Sequence, residues 1–360
     1  MTGPGQKTGR REALEAELAR QRPRLRLHCY RMVGNLDDAD DLTQETALRA
    51  WRGWQTYRGN SSLTTWLYQI ASHACLDHLR RRARERRPHV PASDFPSVPA
   101  QVAVPWLQPY TDEAVGLAAG TAEWAPGPED RTLARETVRL TFVAAVQFLP
   151  PRQRVALLLR DGLDWPVHRC AETLETSPAA VNSAVQRARA RMRDVLGVDP
   201  DRWDAGERAG PLVGEYIAAI ESADDARIAR LLHTEVQVSH APRAGGNMTD
   251  DVVWYGGVDT VLDGWAPILH TDDAPEMILR PVALNGDVGI ASWIRGRGAR
   301  EWETFSLNAL RVRDGRVLEI STFGAELFAR LGLPTIPPKK GGARPHVPVS
   351  VRAPCCRGLE

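Results

Sequence analysis

The chain of 360 residues is long enough for two or three domains, each with its own core, and its formal charge of +1 hides an uneven distribution. Lys+Arg against Asp+Glu run 17 to 10 over residues 1–90, 0 to 6 over 91–130, 11 to 7 over 131–200, 13 to 21 over 201–335 and 5 to 1 over 336–360. Five cysteines (Cys29, Cys75, Cys170, Cys355, Cys356) have neither metal-ligand spacing nor a disulfide framework, and no apolar run nears the roughly 18 residues that cross a bilayer. No metal, no other cofactor and no membrane partner is therefore expected. Met1–Arg11 has no apolar export segment, and a reducing cytoplasm is the simplest home. Two basic blocks around an acidic stretch suit a protein whose N-terminal half meets a polyanion. Only Lys7, Lys339 and Lys340 of the 46 basic residues are lysine, a bias that reads as a GC-rich genome. The placement of charge carries the argument, and its abundance does not.

In chain order, Leu25, Cys29, Met32 and Val33 form a first stripe at helical spacing. Leu42, Ala47, Leu48 and Trp51 form a second, and Leu63, Trp66, Leu67, Ile70 and Leu76 a third. Gly34-Asn35 ends one helix and Gly59-Asn60-Ser61-Ser62 is a polar turn, so residues 12–87 are expected to be an all-helical bundle. Residues 88–130 carry eight prolines and no basic residue. That composition predicts a flexible acidic linker, with Trp106, Tyr110 and Trp124 as points that could dock. Over 131–197 the helical period returns. A turn at Asp161-Gly162, a short helix through Val167, Ala171 and Leu174, the turn Thr176-Ser177-Pro178 and a basic last helix lay out a helix-turn-helix.

Residues 206–334 change character. A helix over 211–233 precedes strands at Val236–His240 and Val252–Tyr255 and a helix at Val258–Leu269. Strands follow at Met277–Leu284, Val288–Ile294, Trp302–Val312 and Val317–Phe323, with Asn285-Gly286-Asp287 and Asp314-Gly315 as hairpin turns. Ala325–Leu331 closes an α+β domain, and 335–360 reads as a disordered tail.

The acidic helix start Asp37–Glu45 would be unremarkable as a solvated cap that complements the helix dipole. Trp51, Trp54, Tyr57-Arg58-Gly59, Thr65-Trp66-Leu67-Tyr68-Gln69-Ile70-Ala71 and Arg80-Arg81-Arg82 follow it, and together they resemble region 2 of extracytoplasmic-function (group IV) sigma factors. The resemblance implies that Asp40, Asp41, Gln44 and Glu45 meet the clamp helices of the largest subunit of RNA polymerase core. It also implies that Asn60, Ser61 and Ser62 meet the −10 element of promoter DNA, where an unstacked base can be captured. Arg80, Arg81 and Arg82, with Arg84, Arg86 and Arg87, would neutralise phosphates. Trp66, on the same stripe as Leu63, Leu67 and Ile70, reads first as a core residue.

Leu149-Pro150-Pro151-Arg152 through Arg193 resembles sigma region 4, the −35 reader. Its recognition helix would turn Val181, Val185 and Ala188 inward and Asn182, Ser183, Gln186, Arg187 and Arg189 toward the groove. Asn182 and Ala184 stand where many relatives have Arg, so promoter sequence does not transfer.

The C-terminal part is similar to the cone-shaped SnoaL-like branch of the nuclear transport factor 2 fold. Tyr216, Ile220, Trp254-Tyr255-Gly256, the Val312–Val317 hairpin and Glu326–Pro334 carry that likeness. The expected architecture is thus multidomain: two all-α sigma domains, a helical bundle and a helix-turn-helix, followed by a C-terminal α+β domain. His240, Trp254, Tyr255, Trp265 and Trp293, with His270, are candidates to line a pocket there for a small-molecule ligand, but no pair has catalytic spacing, so no turnover is expected. The reading is a sigma factor modulated in cis by this domain. Two alternatives stay open: a one-component helix-turn-helix regulator with an effector pocket, and a cyclase- or isomerase-type enzyme with a DNA-binding appendage.

Overall fold

The computed structural model describes residues 4–83, 85–95, 97–113, 139–196 and 206–338. Arg84, Trp124 and the Cys355-Cys356 tail lie outside them. Helices α1 (Pro4–Val33), α2 (Leu36–Gly53) and α3 (Leu63–Arg81) pack on one another. Gly34, at φ +72°, stops α1, and Asn35 caps α2 by accepting from the Asp38 N–H at 3.0 Å. Ser62 caps α3 by accepting from Thr65 N–H at 3.1 Å. The stripes seen in sequence meet here: Cys29, Met32, Val33, Leu42, Leu67 and Cys75 are all buried. Among the described residues no helix is long and apolar enough to cross a membrane.

Four further helices follow: α4 (Ala100–Ala103), α5 (Leu140–Val146), α6 (Pro151–Arg160) and α7 (Val167–Thr173). The long α8 (Pro178–Leu196) starts with Ser177 accepting from the Ala180 N–H. Val181, Val185, Ala188, Met192 and Val195 bury one face of α8, largely against α6 and α7. Arg154 on α6 is buried, donating to the carbonyls of Met32, Gln147 and Leu149 and to the Gln147 side chain. It ties the C-terminus of α1 to the second helical group.

The C-terminal part opens with α9 (Gly206–Glu221) and α10 (Asp225–Leu231), then β1 (Leu232–His240), β2 (Val253–Gly256) and α11 (Val258–Leu269). It continues with β3 (Glu276–Leu284), β4 (Asp287–Arg295), β5 (Glu303–Arg313), β6 (Arg316–Gly324) and α12 (Leu327–Arg330). The sheet order is β2-β1-β6-β5-β4-β3, antiparallel except for the parallel β1–β6 pair. Asn285 and Gly286 have φ of +54° and +75°, and Asp314 and Gly315 of +53° and +69°. Positive φ at both central residues matches the right-handed twist of the flanking strands, which is why these dipeptides make hairpins.

One sheet face packs on α9, α10 and α11 through Tyr216, Ile220, Ile228, Val261, Leu279 and Ile320. The opposite face, with Leu284, Ala291, Trp293, Leu307 and Phe323, joins a single core continuous with the helical part.

The Pro-rich segment differs from its expectation. Its described portion, predicted to be flexible, crosses the sheet as a packed strap. Gln237 donates to Ser97 O, the Ala100 N–H to Glu319 Oε1 at 2.8 Å, and Ser239 to Gln101. At the other end the Tyr110 N–H donates to Asn285 Oδ1 at 2.7 Å, and Thr111 bridges Leu284. The Asp112 N–H reaches Ala283 O, and Asp112 Oδ1 accepts from Gly286. Val104, Leu107 and Tyr110 are buried, and Trp106 donates to Val33 O at 2.9 Å. Hydrogen bonds to partners far away in sequence hold this strap, and no local period announces them.

Candidate nucleic-acid interface

Asp40, Asp41, Gln44 and Glu45 share one exposed side of α2. Asp41 and Gln44 are open to solvent. Asp40 is engaged by the Arg26 guanidinium, and Glu45 accepts from Arg49 at 2.8 Å. Gln44 edges a groove between α1 and α2 with Leu18, Leu48 and Trp51, and Leu48 is 49% exposed on it. Next to this face, Asp37 pairs with Arg330 of α12, and Asp38 with Arg86, which together with His78 holds the Asp38 carboxyl below its usual range.

Asn60 and Ser62 are exposed in the turn before α3, and Ser61 is half-buried with its carbonyl accepting from Tyr57. Trp54, Tyr57 and Trp66 form a cluster there, the first two stacked at 5.4 Å. Trp66 is therefore partly packed and partly open. Arg80, Arg81 and Arg82 lie exposed at the end of α3. On α8, Asn182, Ser183, Gln186, Arg187 and Arg189 all face solvent, opposite the buried stripe, and Arg189 is held by Asp161 at 2.6 Å.

The two groups of candidates are not independent bodies. Arg169 on α7 donates to Thr65 Oγ1 at 2.9 Å and lies over the Trp165 ring at 3.5 Å. Tyr68 meets Trp165 edge-on at 5.0 Å, and Gln69 donates to Glu175 at 2.9 Å. Arg169, Trp165 and Arg154 were not singled out by sequence reasoning, and Asn285 was read there only as a hairpin-turn residue. A tryptophan followed by proline in a turn, and an arginine inside an apolar run, were the only signals there.

Residues 18–85 match the family described as Sigma-70 region 2, and residues 139–192 match Sigma-70, region 4. The ECF RNA polymerase sigma factor SigG of Mycobacterium tuberculosis is 36% identical over 337 residues, 90% of this chain and 85% of that one. The chain belongs to the ECF sigma factors. The sigma factor SigJ of the same species is 29% identical over 228 residues, 62% of this chain and 63% of that one. A SigJ crystal structure superposes with a TM-score of 0.56 at 23% identity, covering 89% of this chain and 99% of that chain. The fold of helical regions plus α+β domain is thus shared. This sigma factor is a non-catalytic initiation subunit that works with RNA polymerase core and promoter DNA, and similarity along nearly the whole chain sets aside the one-component and enzyme readings.

Within the sigma factor's α+β domain the five pocket candidates separate. His240, Tyr255 and Trp265 come together: Trp265 donates to the Tyr255 hydroxyl at 3.1 Å, which contacts His240 Nε2 at 3.0 Å. Burial pushes the His240 imidazole below its usual pKa. Trp254 is 46% exposed on the edge strand β2. Trp293 is buried on the opposite face of the sheet, donating to Pro334 O and packing on Phe328. Strand alternation explains the misplacement: Ser292 faces the cavity, so its neighbour Trp293 cannot. His270 pairs with Asp225 at the surface.

Proposed function

We propose that Asp40, Asp41, Gln44 and Glu45 grip the clamp helices of core polymerase. Asn60, Ser61 and Ser62, with Arg80, Arg81 and Arg82, take the −10 element, and Asn182, Ser183, Gln186, Arg187 and Arg189 read the −35 element. The α+β domain and the strap it holds keep regions 2 and 4 in a closed state that limits initiation in cis. The direct contact of α3 with Trp165 and Arg169 carries this reading. Elements about 25 base pairs apart are separated by roughly 85 Å at about 3.4 Å per pair. Regions that touch side chain to side chain do not span that distance, so promoter engagement requires them to part.

The test is in vitro transcription with core polymerase on genomic DNA, full length against a chain ending near residue 200. Specific start sites with both forms, and more transcript from the shortened one, are expected. Equal output would remove the cis control, and the absence of specific initiation from either form would sink the site assignments.

A further inference from the structure

Trp254 was a pocket candidate in the sequence, yet its indole lies open on β2, and the initiation roles above leave it unused. Among the described residues five large apolar side chains are well exposed. Three of them, Met248, Val253 and Trp254, fall within one stretch of seven residues. Soluble surfaces seldom gather such side chains unless something covers them. β2 is the first strand of the sheet and pairs only with β1. The Gly257 N–H donates to Val236 O at 2.9 Å, and Val238 lies opposite Tyr255. By antiparallel alternation Val253 and Tyr255 therefore turn their backbone groups to β1, while Trp254 and Gly256 turn theirs outward. Sheet edges are usually blunted by lysine, proline or a bulge, but residues 252–257 carry neither a charge nor a proline.

We propose that this edge binds a second copy of the chain, β2 against β2 in antiparallel register about a two-fold axis through Trp254, joining two six-stranded sheets into one. Three features select a copy of this chain over an unrelated strand. Trp254 lies opposite its own counterpart, and indoles facing each other on adjacent antiparallel strands pack together. Val252 lies opposite Gly256, which has no side chain to obstruct it. Asp251, exposed before β2, lies opposite Gly257 at the N-terminus of α11, where the glycine cap at φ +89° supplies no side-chain acceptor. A carboxylate is favoured at such an end, and the two-fold axis makes the contact twice. The proposal does not draw on the cis reading above, so failure of either leaves the other standing.

Sedimentation equilibrium of the full chain over a concentration series should show the mass rising from that of one copy, 39.8 kDa, toward twice that. Trp254→Lys, which sets two like charges on the axis at an exposed position, should weaken association at least about tenfold. Far-ultraviolet circular dichroism checks that this variant stays folded. Cross-linking reads the register. In a chain with Cys355→Ser and Cys356→Ser, Trp254→Cys should give a disulfide-linked dimer with diamide, which accepts the two thiol hydrogens. Directly opposed residues on such strands have Cα atoms about 5.5 Å apart, within disulfide range. Val253→Cys, on the other face and opposite Tyr255 of the second copy, should not cross-link. A chain that sediments as one copy throughout would leave the edge empty or to an unrelated strand, and would overturn the proposal. So would association indifferent to Trp254→Lys, or cross-linking as ready through Val253→Cys as through Trp254→Cys.

Discussion

His28 hydrogen-bonds Ser72 in the interior of region 2, where burial and, next, the Arg31 charge push its pKa down to about 3. The unfolded chain protonates this imidazole near pH 6.5 and the folded chain does not, so stability is fully present above about 6.5 and falls as the pH drops below it. The slope is about 1.4 kcal/mol per pH unit, or about 2 kcal/mol between pH 7 and 5. Urea denaturation at the two pH values should show that loss in the wild type and less than half of it in His28→Gln. Arg154 differs because its charge is taken up by carbonyls. Arg154→Met leaves those acceptors unsatisfied in the core and should cost about 3 kcal/mol by the same measurement. At the surface, Arg80, Arg81 and Arg82 make no buried contact. Replacing any one by Ala should leave stability within about 0.5 kcal/mol. The slope of log affinity against log salt for promoter DNA with core polymerase should become shallower by about 0.9 per lost phosphate contact. An unchanged slope would count against the phosphate role.

Elements were legible where local chemistry decides them. The α2 start follows from Gly34-Asn35, the α3 start from Ser62, and the hairpins from Asn285-Gly286 and Asp314-Gly315. The strand reading Met277–Leu284 became Glu276–Leu284, and Val258–Leu269 was reproduced residue for residue, because β-branched alternation and an amphipathic helix speak for themselves. Asn35→Ala removes the cap of the helix that carries Asp40 and Glu45, and should cost about 1 kcal/mol in denaturant unfolding. The strap was illegible for the opposite reason. Residues 97–112 have no period, and prolines suppress the local signal. What orders them is a row of partners on strands more than a hundred residues later, a long-range event that no window of sequence contains. Trp293 was misjudged for want of the strand register that turns Ser292 to the cavity and the indole away from it.

At the scale of the molecule, one core runs from region 2 through the strap to the outer face of the sheet. Tyr110 and Asn285 join the strap to the β3–β4 hairpin. Asn285 spans Tyr110 N–H and the Tyr30 hydroxyl, which in turn donates to Gln108 O at 2.7 Å. Tyr110→Ala with Asn285→Ala should open the joint without unfolding the separate core beneath α9–α11. Small-angle scattering would then give a radius of gyration above that of the wild type. For a compact chain of 360 residues, scaling gives about 21 Å. An unchanged radius would mean that the closed state does not depend on this joint.

Nine residues, 197–205, connect the end of α8 to α9. A short connection keeps the docked faces at an effective concentration on the order of millimolar, which adds to the affinity of the sheet for the surface it covers. A single peptide-bond cut in that connection would dilute the domain to whatever the cell contains, about a thousandfold lower at micromolar levels. The proposed closure thus draws on the chain's continuity as well as on the docked faces, and one hydrolysed bond would weaken it irreversibly.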